Sequence, residues 1–276
     1  MNKISTRSKG LISQLTSPKQ ARQIQRVGKN VQLLTLIDAT ASMTGYLDAM
    51  TSHARNLLER MSQKHRGAGL SCAFYRDHDC INPFDFYGEG ASHQGRFVGR
   101  SRIQSLQEFL ETRGVPEGNQ TTVEAMGAAM FHATSMPWSA TTRVIVHAGD
   151  QPSHGYKTAH GMPYSEGDRL DHCQLGMSHQ KILECLKAAG VRCYMVRCGY
   201  CPAAEHQYRS IAKVTGGRFI DFAKVSNAQD FMVAIEAAMA DATGGNARRL
   251  IENHQRNNAL ESSTVSELLE SFEDKE

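Results

Sequence analysis

Two periods of hydrophobic spacing alternate along this chain. Residues 31–37, Val-Gln-Leu-Leu-Thr-Leu-Ile, form a short apolar run ending in a carboxylate and small residues, the pattern of a buried parallel strand giving way to a loop. From Thr44 to about Gln63 the apolar residues Leu47, Met50, Ala54, Leu57, Leu58 and Met61 recur at helical spacing, closed by Gly67 and Gly69. Leu70–Tyr75 reads as a second strand. A polar, Gly-rich stretch from Arg76 to Gly95 then leads to a short third strand near Phe97–Val98, and Ile103, Leu106, Phe109 and Leu110 mark a helix. Thr122 to about Ser135 is helical by pattern, and Thr142–Ala148 is a β-branched strand that ends in Gly149-Asp150. After a loop rich in Gly, His and Pro, a helix from about Met177 to Ala189 stops at Gly190. A strand at Val191–Arg197, a helix near Ala203–Val214, a strand at Arg218–Phe222 and a helix near Asn227–Ala242 follow.

Strands alternating with helices of about ten or more residues predict an α/β fold, a Rossmann-like, doubly wound, mainly parallel six-stranded sheet flanked by helices. The pattern divides the chain into an N-terminal arm, 1–30, a folded body, 31–242, and a polar C-terminal tail, 243–276. The tail carries scattered Leu250, Ile251, Leu260, Val265, Leu268, Leu269 and Phe272. This is too little apolar material for a core, so the tail reads as an appendage, a helix packed loosely on the body, or a helix for a partner.

Composition narrows the class. The 276 residues are 40% hydrophobic, and no apolar run approaches the roughly 18–20 residues of a membrane span, so no membrane association is expected. The net charge of +3 hides an asymmetry. The arm holds Lys3, Arg7, Lys9, Lys19, Arg22, Arg26 and Lys29 with no acid, whereas 261–276 hold Glu261, Glu267, Glu270, Glu273, Asp274 and Glu276 against Lys275, which leaves the body nearly neutral. The arm has no continuous apolar stretch before a small-residue cleavage site, and seven cysteines, an odd number, argue against a disulfide framework. A cytoplasmic protein is expected. The arm lacks the aromatic interleaving of a base-stacking surface and any recognisable DNA-binding motif, so nucleic acid is not an expected partner.

The strongest chemical signal is Asp38-Ala39-Thr40-Ala41-Ser42, directly after the first strand. In an open parallel sheet, ligands sit beyond the carboxyl ends of the strands. A carboxylate and two hydroxyls at alternate positions of one loop can converge on a point as hard oxygen donors, a set that suits Mg2+ or Mn2+. Asp150 arrives from the equivalent end of another strand, and Thr121 or Thr122 offers a third hydroxyl. The competing reading is an ordinary helix N-cap at Ser42 or Thr44, which a second strand ending in Asp makes less apt.

Three segments, Asp38-Ala39-Thr40-Ala41-Ser42-Met43, Tyr75-Arg76-Asp77-His78 and Gly149-Asp150-Gln151-Pro152-Ser153-His154-Gly155, make residues 31–242 resemble the von Willebrand factor A domain. Within that superfamily the chain looks most like the A-type domains attached to alpha-type protein kinases and their free-standing microbial relatives. The family's metal-ion-dependent adhesion site is built from a DxSxS-type motif, a Thr in a second loop and an Asp in a third. The resemblance therefore implies a Mg2+ (or Mn2+) site formed by Asp38, Thr40, Ser42, Thr121 or Thr122, and Asp150, with at least one carboxylate reaching through water. Thr40 in place of Ser keeps the hydroxyl, and Ala41 in place of Gly removes no ligand. The implied function is a Mg2+-dependent protein-interaction module in an intracellular complex, whose ion binds the carboxylate of another protein, with no catalytic residue. Two alternatives stand beside it: a metal-dependent phosphoester hydrolase using the same ion or His154 with Asp150, and a regulatory subunit of a separately encoded kinase or ATPase.

Two weaker motifs remain open. Cys198-Gly199-Tyr200-Cys201 has the spacing of a redox dithiol or half a zinc site completed by His172, Cys173 or His206, and equally that of structural thiols. His154 reads either as a catalytic imidazole or as a side chain that, next to the Asp150 carboxylate, holds its loop by hydrogen bonding.

Overall fold

The computed structural model of the chain describes residues 31–48, 59, 67–88, 95–118, 123–157, 173–222, 228–257 and 262–273. Six strands, β1 (Val31–Asp38), β2 (Gly69–Tyr75), β3 (Phe84–Phe86), β4 (Thr142–Gly149), β5 (Arg192–Arg197) and β6 (Phe219–Asp221), form one sheet in the order β3-β2-β1-β4-β5-β6. Every pairing is parallel except the antiparallel edge pair β2–β3. Besides a helical turn at 44–48, the sheet is accompanied by α1 (Ile103–Arg113), α2 (Met126–Thr134), α3 (His179–Ala189), α4 (Pro202–Thr215), α5 (Ala228–Ala242), α6 (Ala247–Arg256) and α7 (Ser262–Ser271).

The two-residue period of a strand sends neighbouring side chains to opposite faces. Leu33 and Ile37 of β1 pack with Leu106 and Leu110 of α1 and with Val233 and Ala237 of α5. Leu34 and Leu36 face the other way, onto Met130 of α2, Ile182 and Leu186 of α3, and Ile211 of α4. Both faces are thus covered, which is why β1 reads as an almost continuous apolar run. At the end of α3, Gly190 takes a left-handed conformation (φ 63°) and the Val191 N–H returns to the Leu186 carbonyl, so the helix stops where a residue without Cβ allows it.

The direction of the crossovers positions the site. After β1 the chain enters a helical turn at 44–48 that packs Leu47 on the α1 face, whereas beyond β4 the next described helix, α3, lies on the opposite face. The loops after β1 and β4 therefore diverge between adjacent strands and open a crevice at the carboxyl ends of the sheet.

Two expectations change. The third strand is not Phe97–Val98, which makes only an isolated antiparallel bridge to Leu70; it is Phe84–Phe86, whose alternation buries Phe86 against Ala73 and Tyr75. The tail is not a loose appendage either. α6 and α7 place Ile251, Val265, Leu268 and Phe272, each at most 3% exposed, in the same core cluster as α5, because their spacing gives each helix one apolar stripe. The N-terminal arm lies outside the described residues. Among the described residues no helix is long and apolar enough to cross a membrane.

Candidate metal centre

β1 ends at Asp38, which is fully buried. The Thr40 N–H and the Thr40 hydroxyl both donate to its Oδ1, at 2.9 and 2.7 Å, and Thr40 Oγ1 lies 3.1 Å from Ser42 Oγ. The loop is tied down on both sides: the Ala39 N–H donates to the Tyr75 carbonyl (2.7 Å) and the Glu117 N–H to the Ala39 carbonyl (3.0 Å). The N-cap alternative does not describe these hydroxyls. Thr40 precedes the short 3-10 turn Ala41–Met43 without capping it, and Thr44 Oγ1 donates back to the Ala41 carbonyl.

β4 delivers Asp150 on a loop that is held at every step. The Cys198 N–H donates to the Gly149 carbonyl (2.8 Å), and the Tyr208 hydroxyl to the Gln151 carbonyl (2.7 Å). Gln207 of α4 grips Ser153 twice, accepting from its N–H at 2.8 Å and donating to its Oγ at 2.6 Å. At Gly149 a Cβ would stand 2.6 Å from the Tyr75 hydroxyl and 3.0 Å from that of Tyr208, so only glycine lets the strand pass between them.

A third carboxylate, absent from the sequence reading, completes the cluster. The Glu124 N–H donates to the Pro152 carbonyl (3.0 Å) and the Glu124 carbonyl accepts from the His154 N–H (3.1 Å), which fastens Glu124 to the Asp150 loop. One carboxylate oxygen from each of Asp38, Glu124 and Asp150 lies within 4.8 Å of the others. Glu124 sits just before an apolar helical pattern, where an acid is ordinarily credited to the helix N-terminus, and that masked it. Thr121 and Thr122 lie outside the described residues.

Gathering these carboxylates away from water has an electrostatic cost. Burial, reinforced by the charge of Asp150, pushes Asp38 up to about 7, and the Thr40 hydrogen bonds draw it back only in part. Burial also raises Asp150. Asp38 Oδ2 and Asp150 Oδ1 are buried oxygens without a hydrogen-bond partner. Such atoms call for a proton or a cation, and three carboxylates beside two hydroxyls are donors suited to a hard divalent ion. The acidic trio can therefore hold a metal ion.

The weaker motifs resolve differently. Cys198 belongs to one core cluster and Cys201 to the other, on opposite faces of the sheet, and Cys201 Sγ accepts the Ala204 N–H as the cap of α4. All seven cysteines are free, and among the described residues neither Cys198 nor Cys201 joins a group able to hold a metal. His154 does hold its loop, and the carboxylate it meets is Asp77, at 2.5 Å.

No protein-family model matches the chain. Over 131 residues it is 29% identical to Alpha-protein kinase vwkA of Dictyostelium discoideum, a match covering 47% of this chain and 20% of the kinase, so the chain spans about a fifth of that relative. Two crystal structures of the pilus adhesin SpaC from Lactobacillus rhamnosus GG, one in an open conformation, share the fold over 78% of this chain and 30% of the adhesin. Their TM-scores are 0.50 and 0.51, at 10% and 11% identity.

Proposed function

We propose that this chain is a von Willebrand factor A-type domain that holds Mg2+ or Mn2+ and uses it to bind an acidic residue of a partner protein in the cytoplasm. The observation that carries this reading is the meeting of Asp38, Glu124 and Asp150 at the carboxyl-end crevice, with buried carboxylate oxygens that no hydrogen bond satisfies. The partial likeness to the Dictyostelium kinase supports the A-type assignment.

Asp38, Thr40, Ser42, Glu124 and Asp150 would hold the ion, with Thr121 or Thr122 as the second-loop hydroxyl. When bound, the ion supplies an electropositive point to which a carboxylate from outside can bond. Thr40 gives its proton to Asp38 and keeps oxygen lone pairs for a cation. Exposed Ser42 and half-buried Asp150 mark the side that faces solvent, where a partner can approach. Binding is preferred to hydrolysis because His154, four residues after Asp150, is 1% exposed and bonded to Asp77, out of reach of a substrate.

An ion that binds only the folded state stabilises it by RT ln(1 + [L]/Kd). Millimolar Mg2+ added to EDTA-stripped protein should raise the Tm of the wild type and leave Asp38→Ala unmoved. No shift in the wild type, or the same shift in the variant, overturns the metal reading. A pull-down with Mg2+ and with EDTA tests the partner: capture lost in EDTA and in Asp38→Ala supports it, and capture indifferent to both rejects it.

A further inference from the structure

Two of the sequence segments singled out above, Tyr75–His78 and Asp150–Gly155, contain residues that the metal reading does not use. Resting on that reading, we infer that Asp77 and His154 form a latch that fixes Glu124 and the Asp150 loop in register for the ion, His154 being a positioning residue and not a ligand.

The two side chains are 77 positions apart in sequence and meet at 2.5 Å, with Asp77 fully buried and His154 1% exposed. Their contact closes a ring of hydrogen bonds. Asp77 Oδ1 takes both the His154 imidazole and the His78 N–H (2.6 Å). The His154 backbone N–H donates to the Glu124 carbonyl at 3.1 Å, and the Ala125 N–H donates to the Arg76 carbonyl at 3.2 Å. The path Arg76–Asp77–His154–Glu124–Ala125 therefore returns to its start, and Glu124 is held within it at both carbonyl and chain neighbour. The loop's other flank is fastened by Gln207 on Ser153 and Tyr208 on Gln151.

The site needs such a fastening. Asp38, Glu124 and Asp150 carry like charges within 4.8 Å of one another, so each loop is pushed away from the others whenever the carboxylates are ionised. A buried, charge-capable hydrogen bond between the strand-two loop and the Asp150 loop opposes that separation. Outer residues that orient ligands in this way commonly change metal affinity by about 10–100-fold when they are removed.

The test compares Mg2+ affinity with stability in the full chain after EDTA treatment, titrating Mg2+ alone and following Tm. Asp77→Ala and His154→Leu, which leave no hydrogen bond between the two positions, should each bind Mg2+ about 10–100-fold more weakly than wild type. Asp77→Asn, whose amide oxygen can still accept from the His154 imidazole, should recover affinity relative to Asp77→Ala. Tyr194→Phe is the structural control: it removes the 2.6 Å bond from Tyr194 to Asp241, away from the trio, and should lower Tm while leaving Mg2+ affinity at the wild-type value. If His154→Leu does not fold, the comparison of Asp77→Ala with Asp77→Asn decides the matter. Asp77→Ala and His154→Leu proteins that match Tyr194→Phe in losing stability without losing affinity overturn the latch. Absence of Mg2+ binding in the wild type overturns the metal reading itself, a separate result from wild-type binding that the latch variants leave unchanged.

Discussion

Asp38 Oδ1 accepts two hydrogen bonds from one residue, the Thr40 N–H at 2.9 Å and the Thr40 hydroxyl at 2.7 Å, while its Oδ2 accepts none. A residue two positions along thus fixes the rotation of the carboxylate and leaves one oxygen for a cation. Removing the hydroxyl while keeping the side-chain shape should separate these effects. Thr40→Val is expected to weaken Mg2+ binding by about tenfold or more, losing one donor and the bond that orients Asp38, whereas Thr40→Ser should stay close to wild type. The Mg2+ dependence of Tm reads both variants, and a Thr40→Val protein with the wild-type response would contradict this geometry.

The same burial implies that the metal-free protein is stressed at Asp38. With Asp38 pushed up to about 7 by burial and by Asp150, keeping it charged at neutral pH works against folding. Asp38→Asn removes that charge and retains an oxygen for the Thr40 donors. In EDTA at neutral pH its Tm should exceed that of wild type by about 2–5 °C, and added Mg2+ should reverse the order by stabilising the wild type alone. Calorimetry of both proteins in EDTA and in Mg2+ checks this crossover.

Acid and imidazole groups pull the pH dependence in opposite directions. Asp38, raised from 3.8 to about 7, and Asp150, raised by burial, hold more protons folded than unfolded, so the stability they contribute at low pH is lost as pH rises through that window. His147, lowered by burial from 6.5 to about 3, and His78, lowered by burial and by His154 to about 4, hold fewer protons folded, so they contribute stability that is lost as pH falls from about 6.5. In EDTA the two trends oppose each other. Saturating Mg2+ keeps the carboxylates ionised and leaves the histidine trend. The Mg2+-induced rise in Tm should therefore grow between about pH 5 and about pH 7, and a shift constant across that range would be inconsistent with ionising carboxylates at the site.

The body of the fold was legible because its signals are local. The apolar run of β1 and the carboxylate that ends it required only strand periodicity and the carboxyl-end rule, and they led to Asp38 and Asp150. Glu124 was not legible: its place is set by backbone bonds to Pro152 and His154, some thirty residues away in sequence, which no spacing rule reports. The role of His154 in holding its loop was legible, but its partner was not, since Asp77 reaches it only after β2 and β4 are aligned on either side of β1. Cys198 and Cys201 show the converse. Their spacing implied proximity, but the strand end between β5 and α4 sends their thiols to different faces.

The tail was underrated because its apolar residues are few, yet they are spaced to pack together. Val265 and Leu268 of α7 and Phe272 directly after it line one side, and Phe272 stacks on Tyr194 of β5 with ring centroids 6.4 Å apart. Arg218 braces the contact from outside, donating to the Glu273 carbonyl at 2.8 Å. Phe272 is 3% exposed, so truncating it leaves a cavity against the sheet and not a solvated notch. Phe272→Ala is expected to cost about 3–5 kcal/mol, a fall in Tm on the order of 10 °C. Mg2+ affinity should stay at the wild-type value, since α7 packs against β6 and α6, away from the acidic trio. Thermal melts of Phe272→Ala with and without Mg2+ check both halves. A loss below about 1 kcal/mol would mean that the tail packs only loosely, and an equal loss of Mg2+ affinity would mean that the C-terminal helices and the metal loops form one cooperative unit.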